Sequence, residues 1–177
     1  GPVAMVYRGG RAVPASQGKY AASTGRWVYR GGESFPASRI SLDGDRLQID
    51  FGRANVTATY RVTVREKYLA FELADLTGDP VDRIDVFRLN IKDLPQLGEW
   101  INLARNPEFG VCLCGGNLAT NAEMDPHSGH VLLRTTAQRD VGLLGATAVL
   151  LACNHPDATF LDAMAEVVRD FKMPPGA

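Results

Sequence analysis

The sequence lacks an excess of either charge, which excludes several functional classes. Its 19 lysine and arginine residues are matched by 20 aspartate and glutamate residues, and the formal net charge is −1. A nucleic-acid binder normally carries a basic stripe, and a polybasic membrane-surface module carries a cluster of cations. We therefore expect neither nucleic acid nor a membrane among the partners of this chain.

Long hydrophobic runs and cysteines are also scarce. The longest strongly apolar stretch, "GATAVLLAC" (Gly145 to Cys153), is far too short to cross a bilayer as a helix. The three cysteines are Cys112, Cys114 and Cys153, and an odd number is a poor basis for a disulfide framework. We expect all three thiols to be reduced and buried in a core.

What the sequence does contain is alternating hydrophobicity. The stretch "NVTATYRVTVR" has a period of two over ten residues and predicts a half-buried strand. Alternation resumes at Leu69, after a break at Glu66 and Lys67, which predicts a hairpin. A second hairpin is predicted in "SRISLDGDRLQIDF", with Asp43-Gly44 as its turn.

Further strands are predicted downstream, in "DRIDVFRLNI", "GVCLCGG", "HVLLRTTA" and "ATAVLLAC". The first follows a predicted turn, "TGDP", and its apolar phase shifts between Val86 and Phe87, which predicts a β-bulge. The last is apolar on both faces, as expected of a central strand. The stretch "GGNLATNAEMDPHSG" is rich in turn-forming residues and predicts a long loop.

The end of the chain has a helical pattern instead. From Ala158 onward, apolar residues recur with helical spacing at Phe160, Leu161, Met164, Val167, Val168 and Phe171. We expect Asp157 or Thr159 to cap this helix and Pro174-Pro175 to end it. Many short strands followed by one helix predict a mainly β fold, an antiparallel β-sandwich with one C-terminal α-helix.

We divide the chain into three parts. Residues 1–25 are expected to be an N-terminal arm or edge strand, beginning with a Gly1-Pro2 sequence typical of the scar left by tag removal. Residues 26–155 are expected to form the sandwich. Residues 156–177 are expected to form the helix and the start of a linker.

A duplication lies across the first boundary. The stretches "VYRGGRAVPAS" (Val6 to Ser16) and "VYRGGESFPAS" (Val28 to Ser38) match at eight of eleven positions, offset by 22 residues. Each predicts a short strand, a Gly-Gly break free to take positive φ, and a proline-led turn. RNA-binding Arg-Gly-Gly tracts occur in many disordered copies, so we interpret the pair as a duplicated strand-and-turn unit. The first copy could pair beside the second, or take its place on a neighbouring molecule.

The candidate binding residues are aromatic and planar polar side chains, the types that hold sugars. They are Trp27, Tyr29, Trp100, Asn102, Arg105, Asn117, Asn121 and Glu123. We assign no catalytic residue and expect neither a metal nor another cofactor.

Three chemical alternatives remain open. Cys112, Cys114, His127 and His130 form a C-x-C…H-x-x-H pattern of zinc-type ligands, and a thiol with an imidazole is also a possible nucleophile pair. Three loop-like carboxylates, Glu99, Glu123 and Asp125, are of the type that glycosidases use in pairs.

Four segments together resemble the N-terminal β-sandwich domains that precede the catalytic barrel in some bacterial glycoside hydrolases. They are "GRWVYRGGESFPASRI", "YLAFELADLTGDPVDRIDVFRLNI", "GEWINLARNPEFGVCLCGGNLATNAE" and "ATAVLLACNHPDATFLDAMAEVVRDFKMP", and they cover roughly residues 26–175. The resemblance is one of pattern, without a catalytic signature.

This resemblance implies a non-catalytic accessory domain of a carbohydrate-active enzyme, with carbohydrate or a following catalytic domain as its partner. Two alternatives are a structural domain for inter-domain or homo-oligomer packing, and a small metal-binding protein using the two cysteines and two histidines named above.

Overall fold

The structure is a computed structural model, and its strands form two antiparallel sheets and a separate hairpin. It describes residues 5–8, 11–14 and 21–23 as backbone strands, and residues 27–98 and 101–173 with their side chains. The predicted fold class, mainly β with one C-terminal helix, is confirmed. Among the described residues, no helix is both long enough and apolar enough to cross a bilayer.

Strands account for most of the regular structure. In chain order they are β1 (Met5–Arg8), β2 (Arg11–Pro14), β3 (Ala21–Ser23), β4 (Trp27–Arg30), β5 (Glu33–Pro36), β6 (Arg39–Asp43), β7 (Arg46–Phe51), β8 (Val56–Val64), β9 (Tyr68–Gly78), β10 (Arg83–Lys92), β11 (Gln96–Leu97), β12 (Leu103–Arg105), β13 (Phe109–Gly115), β14 (Asn121–His127), β15 (His130–Gln138) and β16 (Thr147–Asn154). The helix α1 (Pro156–Asp170) follows the last strand.

The two sheets differ in size. The six-stranded sheet has the order β14-β15-β10-β4-β5, and β3 pairs with β10 beside β4. The eight-stranded sheet has the order β11-β12-β13-β16-β9-β8-β7-β6. The strands β1 and β2 pair with each other as a two-stranded sheet.

The main core lies between the two sheets. Its fully buried members include Val28, Ile49, Phe51, Tyr60, Leu73, Ile84, Val86, Leu113 and Leu133. Phe71 of the larger sheet stacks on Phe87 of the smaller one, with ring centroids 4.7 Å apart. Apolar burial of this kind is the main contribution that holds two sheets face to face.

A second core lies between the eight-stranded sheet and α1. Phe160, Ala163 and Val167 of the helix pack in one buried cluster with strand residues such as Leu151. The Tyr68 hydroxyl donates a hydrogen bond to the Asp170 carboxylate at 2.9 Å and ties the end of the helix to β9. The strand β16 is therefore central and covered on both faces, as predicted.

Most predicted β elements are confirmed. The β8–β9 hairpin forms, and β10 has the predicted bulge, a register shift between Asp85 and Phe87. The β6–β7 hairpin also forms, but its turn residues are Gly44 and Asp45, because Asp43 still pairs with Arg46. The predicted "TGDP" turn begins later than expected, since β9 continues to Gly78.

The predicted long loop after β13 is wrong over half its length. Residues Asn121–His127 form β14, which pairs with β15 along its whole length. Proline is tolerated at Pro126 because an edge strand does not need every backbone donor. The turn-forming residues of this stretch favour a loop locally, and pairing with β15 overrides that preference.

The helix also differs from its prediction in two respects. Its N-cap is His155 in a left-handed conformation (φ +51°), without a side-chain capping bond. Thr159 instead donates its hydroxyl hydrogen to the carbonyl of Asn154 at 2.7 Å. Leu161 lies outside the packed stripe, with 78% of its surface exposed.

Neighbouring residues on α1 test how much the helix contributes to stability. We expect Phe160→Ala to lower the free energy of unfolding by about 3 kcal/mol, because it leaves a cavity in the second core. Leu161→Ala should change it by less than about 0.5 kcal/mol, because the side chain is exposed. Urea unfolding of both variants measures this, and equal effects would show that α1 is not docked as described.

Candidate functional site

The face of the six-stranded sheet that points away from the core carries polar and aromatic side chains. Residues paired across antiparallel strands share a face, and so do alternate residues of one strand. By these rules three cross-strand rows define this surface, which we call the polar face: Ser34–Tyr29–Arg83–Gln138, Asp85–Thr136–Asn121 and Arg88–Arg134–Glu123.

The bulge in β10 determines which charges meet on this face. Val86 is the extra residue between the paired positions of Asp85 and Phe87, so the alternation of β10 shifts by one residue. Asp85 and Arg88, three residues apart, therefore share the polar face, and their charged atoms are 3.6 Å apart. Val86 itself is fully buried in the main core.

Asp85 is the most unusual residue of the polar face because its carboxylate is fully buried. The Tyr29 hydroxyl donates a hydrogen bond to it at 3.4 Å. Burial raises the pKa of Asp85 to about 6, because a charged carboxylate loses its hydration. The positive charges of Arg134 and Arg88 are the largest opposing influences.

The arginines around Asp85 are held in different ways. The Arg134 guanidinium donates a hydrogen bond to the Glu123 carboxylate on the neighbouring strand. The Arg83 guanidinium lies over the Tyr29 ring, 3.8 Å from its centroid, in a cation–π contact. This stacking presents Arg83 as a flat polar group on a sheet surface.

Unused hydrogen-bonding capacity is concentrated under this face. Within the described part of the chain, the buried side-chain atoms without a hydrogen-bond partner all belong to β10 and β15. They are Arg83 Nε, Asp85 Oδ1, Asn90 Oδ1, Arg134 Nε and Thr136 Oγ1. Buried polar atoms are normally paired with protein groups or ordered water, and these five atoms include both donors and acceptors.

A shallow depression opens at one end of the polar face. It has a volume of about 460 Å³ and is lined by Tyr29, Gly32, Ser34, Asp82, Arg83 and Gln138. Asp82 is fixed there by an ion pair with Arg139 at 3.2 Å, and it also accepts a hydrogen bond from the Gly31 backbone at 2.7 Å.

Four of the eight predicted binding residues lie on the polar face. Tyr29, Asn121 and Glu123 belong to its rows, and Trp27 alternates with Val28 and so lies on the same side of β4 as Tyr29. The two pairs are separated by three inter-strand steps, or about 14 Å. The structure thus brings distant segments of the chain to one surface.

The other predicted binding residues lie elsewhere. Arg105 forms an ion pair with Asp157 at the start of α1. Asn117 donates its amide hydrogen to the Gly145 carbonyl at 2.7 Å and holds two loops together. Asn102 accepts a backbone hydrogen bond from Leu113 at 3.1 Å, and Trp100 lies outside the described residues.

The cysteines and histidines of the metal-site and nucleophile alternatives are also distributed over the fold. Cys112 and Cys114 are on β13 under α1, whereas His127 and His130 flank the β14–β15 turn of the other sheet. Within residues 27–98 and 101–173, no group of three histidine, cysteine or acidic side chains is arranged to hold a metal ion. The hydrogen bond to Cys114 and burial raise the pKa of the Cys112 thiol well above its usual value. Of the three carboxylates predicted in loops, Glu123 and Asp125 lie on the strand β14, and Glu99 lies outside the described residues.

Sequence reasoning missed the centre of the polar face, namely Arg83, Asp85, Arg88 and Arg134. One signal was available, because "DRIDVFRLN" contains charged residues inside an otherwise apolar strand. The pairing that brings Arg134 beside Arg88 was not visible, since it depends on the register between β10 and β15.

No family model, curated protein or solved structure matches this chain. The fold implied by the sequence resemblance, a mainly β protein of two antiparallel sheets, is what the structure shows.

The raised pKa of Asp85 predicts a pH-dependent stability difference. Between about pH 4 and pH 6 the folded chain binds a proton at Asp85 that the unfolded chain has released, so this group destabilises the fold as the pH rises. In Asp85→Asn this penalty is absent. Between pH 4 and pH 7, the free energy of unfolding of the variant should therefore rise by about 2–3 kcal/mol relative to that of the wild type.

Urea unfolding at several pH values measures this difference. The exposed Asp75→Asn variant controls for the loss of one negative charge. The assignment is contradicted if the free energy of unfolding of Asp85→Asn, minus that of the wild type, stays constant or decreases as the pH rises.

Proposed function

We propose that this chain is a non-catalytic carbohydrate-binding domain, and that its ligand lies on the polar face of the six-stranded sheet. The observation that carries the proposal is that Trp27, Tyr29, Asn121 and Glu123 all lie on one outer face of the same sheet. In line with the sequence resemblance, we place it as an accessory domain of a carbohydrate-active enzyme.

The chemistry of the polar face fits a ligand with many hydroxyl groups. Such a ligand needs both donors and acceptors, together with flat surfaces for its apolar ring faces. The depression supplies an amide in Gln138, a hydroxyl in Ser34 and a guanidinium in Arg83, beside the Tyr29 ring. An oligosaccharide can also reach from β4 to β14, which a single sugar cannot.

Most charges of this face neutralise one another, so we do not expect net electrostatic attraction to dominate ligand binding. Arg88 pairs with Asp85, Arg134 with Glu123 and Arg139 with Asp82, so most cations are already compensated. Arg83 makes no ion pair among the described residues, and it is therefore our candidate for the main polar anchor of the ligand.

Calorimetry with a panel of neutral and acidic oligosaccharides tests the proposal. For a glycan that binds, we expect Arg83→Gln to weaken the affinity about 10- to 100-fold, as expected for the loss of hydrogen bonds from a charged group. Gln138→Ala should weaken it less, because its side chain is neutral.

Arg61→Gln is the matched control, because Arg61 forms an exposed ion pair with Glu72 on the other sheet, 3.5 Å apart. It should leave the affinity unchanged. If no glycan binds to the wild type, or if both arginine variants bind equally well, the proposal is wrong.

A second candidate function is packing against another chain or domain, and one feature favours it. The strand β6 is the edge of the eight-stranded sheet, and all five of its residues are exposed, including Ile40 and Leu42. Exposed edge strands with apolar side chains readily pair with other strands. Light scattering of the wild type and of Leu42→Lys tests this, since a dimer that the substitution dissociates would support packing.

A further inference from the structure

The duplicated sequence has a duplicated backbone arrangement. The hairpin β1–β2 pairs Met5 with Pro14 and Arg8 with Arg11. The hairpin β4–β5 pairs Trp27 with Pro36 and Arg30 with Glu33, which is the same register displaced by 22 residues. Only the second hairpin is paired to a sheet, whereas the first forms a two-stranded sheet of its own.

An isolated two-stranded hairpin has little stability in water. Pairing with a larger sheet therefore stabilises the first hairpin whenever a position in such a sheet is accessible. The position best suited to its sequence is the one that the second copy holds beside β10. We call this position the seat.

Side chains of the second copy make the first set of contacts in the seat. Val28 is fully buried in the main core and pairs with Ile84. The Tyr29 ring lies under Arg83, and its hydroxyl bonds to Asp85.

The next residues of the second copy hydrogen-bond to three other segments. Arg30 donates hydrogen bonds to the carbonyls of Pro80 at 2.6 Å and Ala54 at 2.9 Å. The Gly31 backbone donates to Asp82 at 2.7 Å. Ser38 donates to the Asp50 carbonyl at 2.8 Å.

Each residue that makes these contacts is identical in the first copy. Val28, Tyr29, Arg30, Gly31 and Ser38 correspond to Val6, Tyr7, Arg8, Gly9 and Ser16. The first copy therefore has the same donors, aromatic residue and valine as the copy that occupies the seat.

The three positions that differ make the first copy the weaker occupant. Phe35 is buried, and its counterpart Val13 is smaller. Glu33 lies 3.7 Å from Arg53, whereas its counterpart Arg11 would bring a like charge to Arg53. Ser34 lines the depression of the polar face, and its counterpart is Ala12.

We propose that the seat binds either copy, and that the first copy of the same molecule occupies it in a minor fraction of molecules. Residues 17–38 then form the connection to β6, so β3 leaves its pairing with β10, and the longer loop itself adds closure entropy only slowly. Tethering on one chain gives the first copy a high local concentration. This inference goes beyond the proposed function, and it implies a second form of the depression that lacks the Ser34 hydroxyl.

Disulfide trapping in the full chain detects such a minor state. Tyr29 lies directly opposite Arg83, and opposite residues on antiparallel strands are about 4.5–5.5 Å apart, within disulfide reach. In Tyr7→Cys/Arg83→Cys, mild oxidation should link positions 7 and 83 within one molecule. Peptide mapping by mass spectrometry distinguishes this link from any that involves the native cysteines.

Three control chains make the result decisive. Tyr29→Cys/Arg83→Cys reports the fully occupied seat, and Val3→Cys/Arg83→Cys, outside the repeat on the same N-terminal arm, reports random contact. Adding Arg11→Glu, Ala12→Ser and Val13→Phe to the Tyr7 chain makes the copies equal at the three differing positions. This addition should raise the initial trapping rate roughly 5- to 30-fold, the factor expected from removing a modest free-energy difference.

A trapping rate no higher than in the Val3 chain would overturn the proposal. An unchanged trapping rate after the three matching substitutions would overturn it as well, because occupancy of the seat would then not depend on the sequence of the repeat. A link between positions 7 and 83 found only between molecules would overturn the assignment to the same chain.

Discussion

The extra residue in β10 is the constraint on which the candidate site depends. Val86 fills the main core, and its insertion shifts the alternation of the strand by one residue. Without this shift, Arg88 would point toward the core and Phe87 toward solvent, since side chains alternate along a strand. The bulge therefore allows one strand to supply apolar side chains to the sandwich and the Asp85–Arg88 pair to its outer surface.

The polar face lowers the stability of the fold. A surface that is kept despite such a penalty is an argument for a function there. A buried carboxylate is expensive even when cations surround it, and the pKa of Asp85 at about 6 shows that its neighbours do not fully compensate its lost hydration. Unpartnered polar atoms lie in the same layer. The two apolar cores carry the stability of the domain, and local violations of packing rules of this kind are expected at binding surfaces.

The sequence predicted those features that depend on local pattern. Alternation identified β8 and β9, and the phase shift identified the bulge. It failed where local composition and tertiary context disagree, as in β14, whose asparagine, aspartate and proline are acceptable only because the strand lies at an edge. The grouping of Tyr29, Asn121 and Glu123 on one surface could not be derived, because it follows from the order β14-β15-β10-β4. Asp85 was missed for a related reason, since its burial depends on side chains from neighbouring strands.

The central claim, that the polar face binds a glycan, is tested most directly by backbone NMR during titration with an oligosaccharide. Our account predicts that amide shifts move on β4, β10, β15 and β14, with the largest changes around Tyr29, Arg83 and Gln138. Amides of β6 and α1 should stay where they are. Shifts confined to the eight-stranded sheet or to α1, or no shifts with any glycan, would contradict the account.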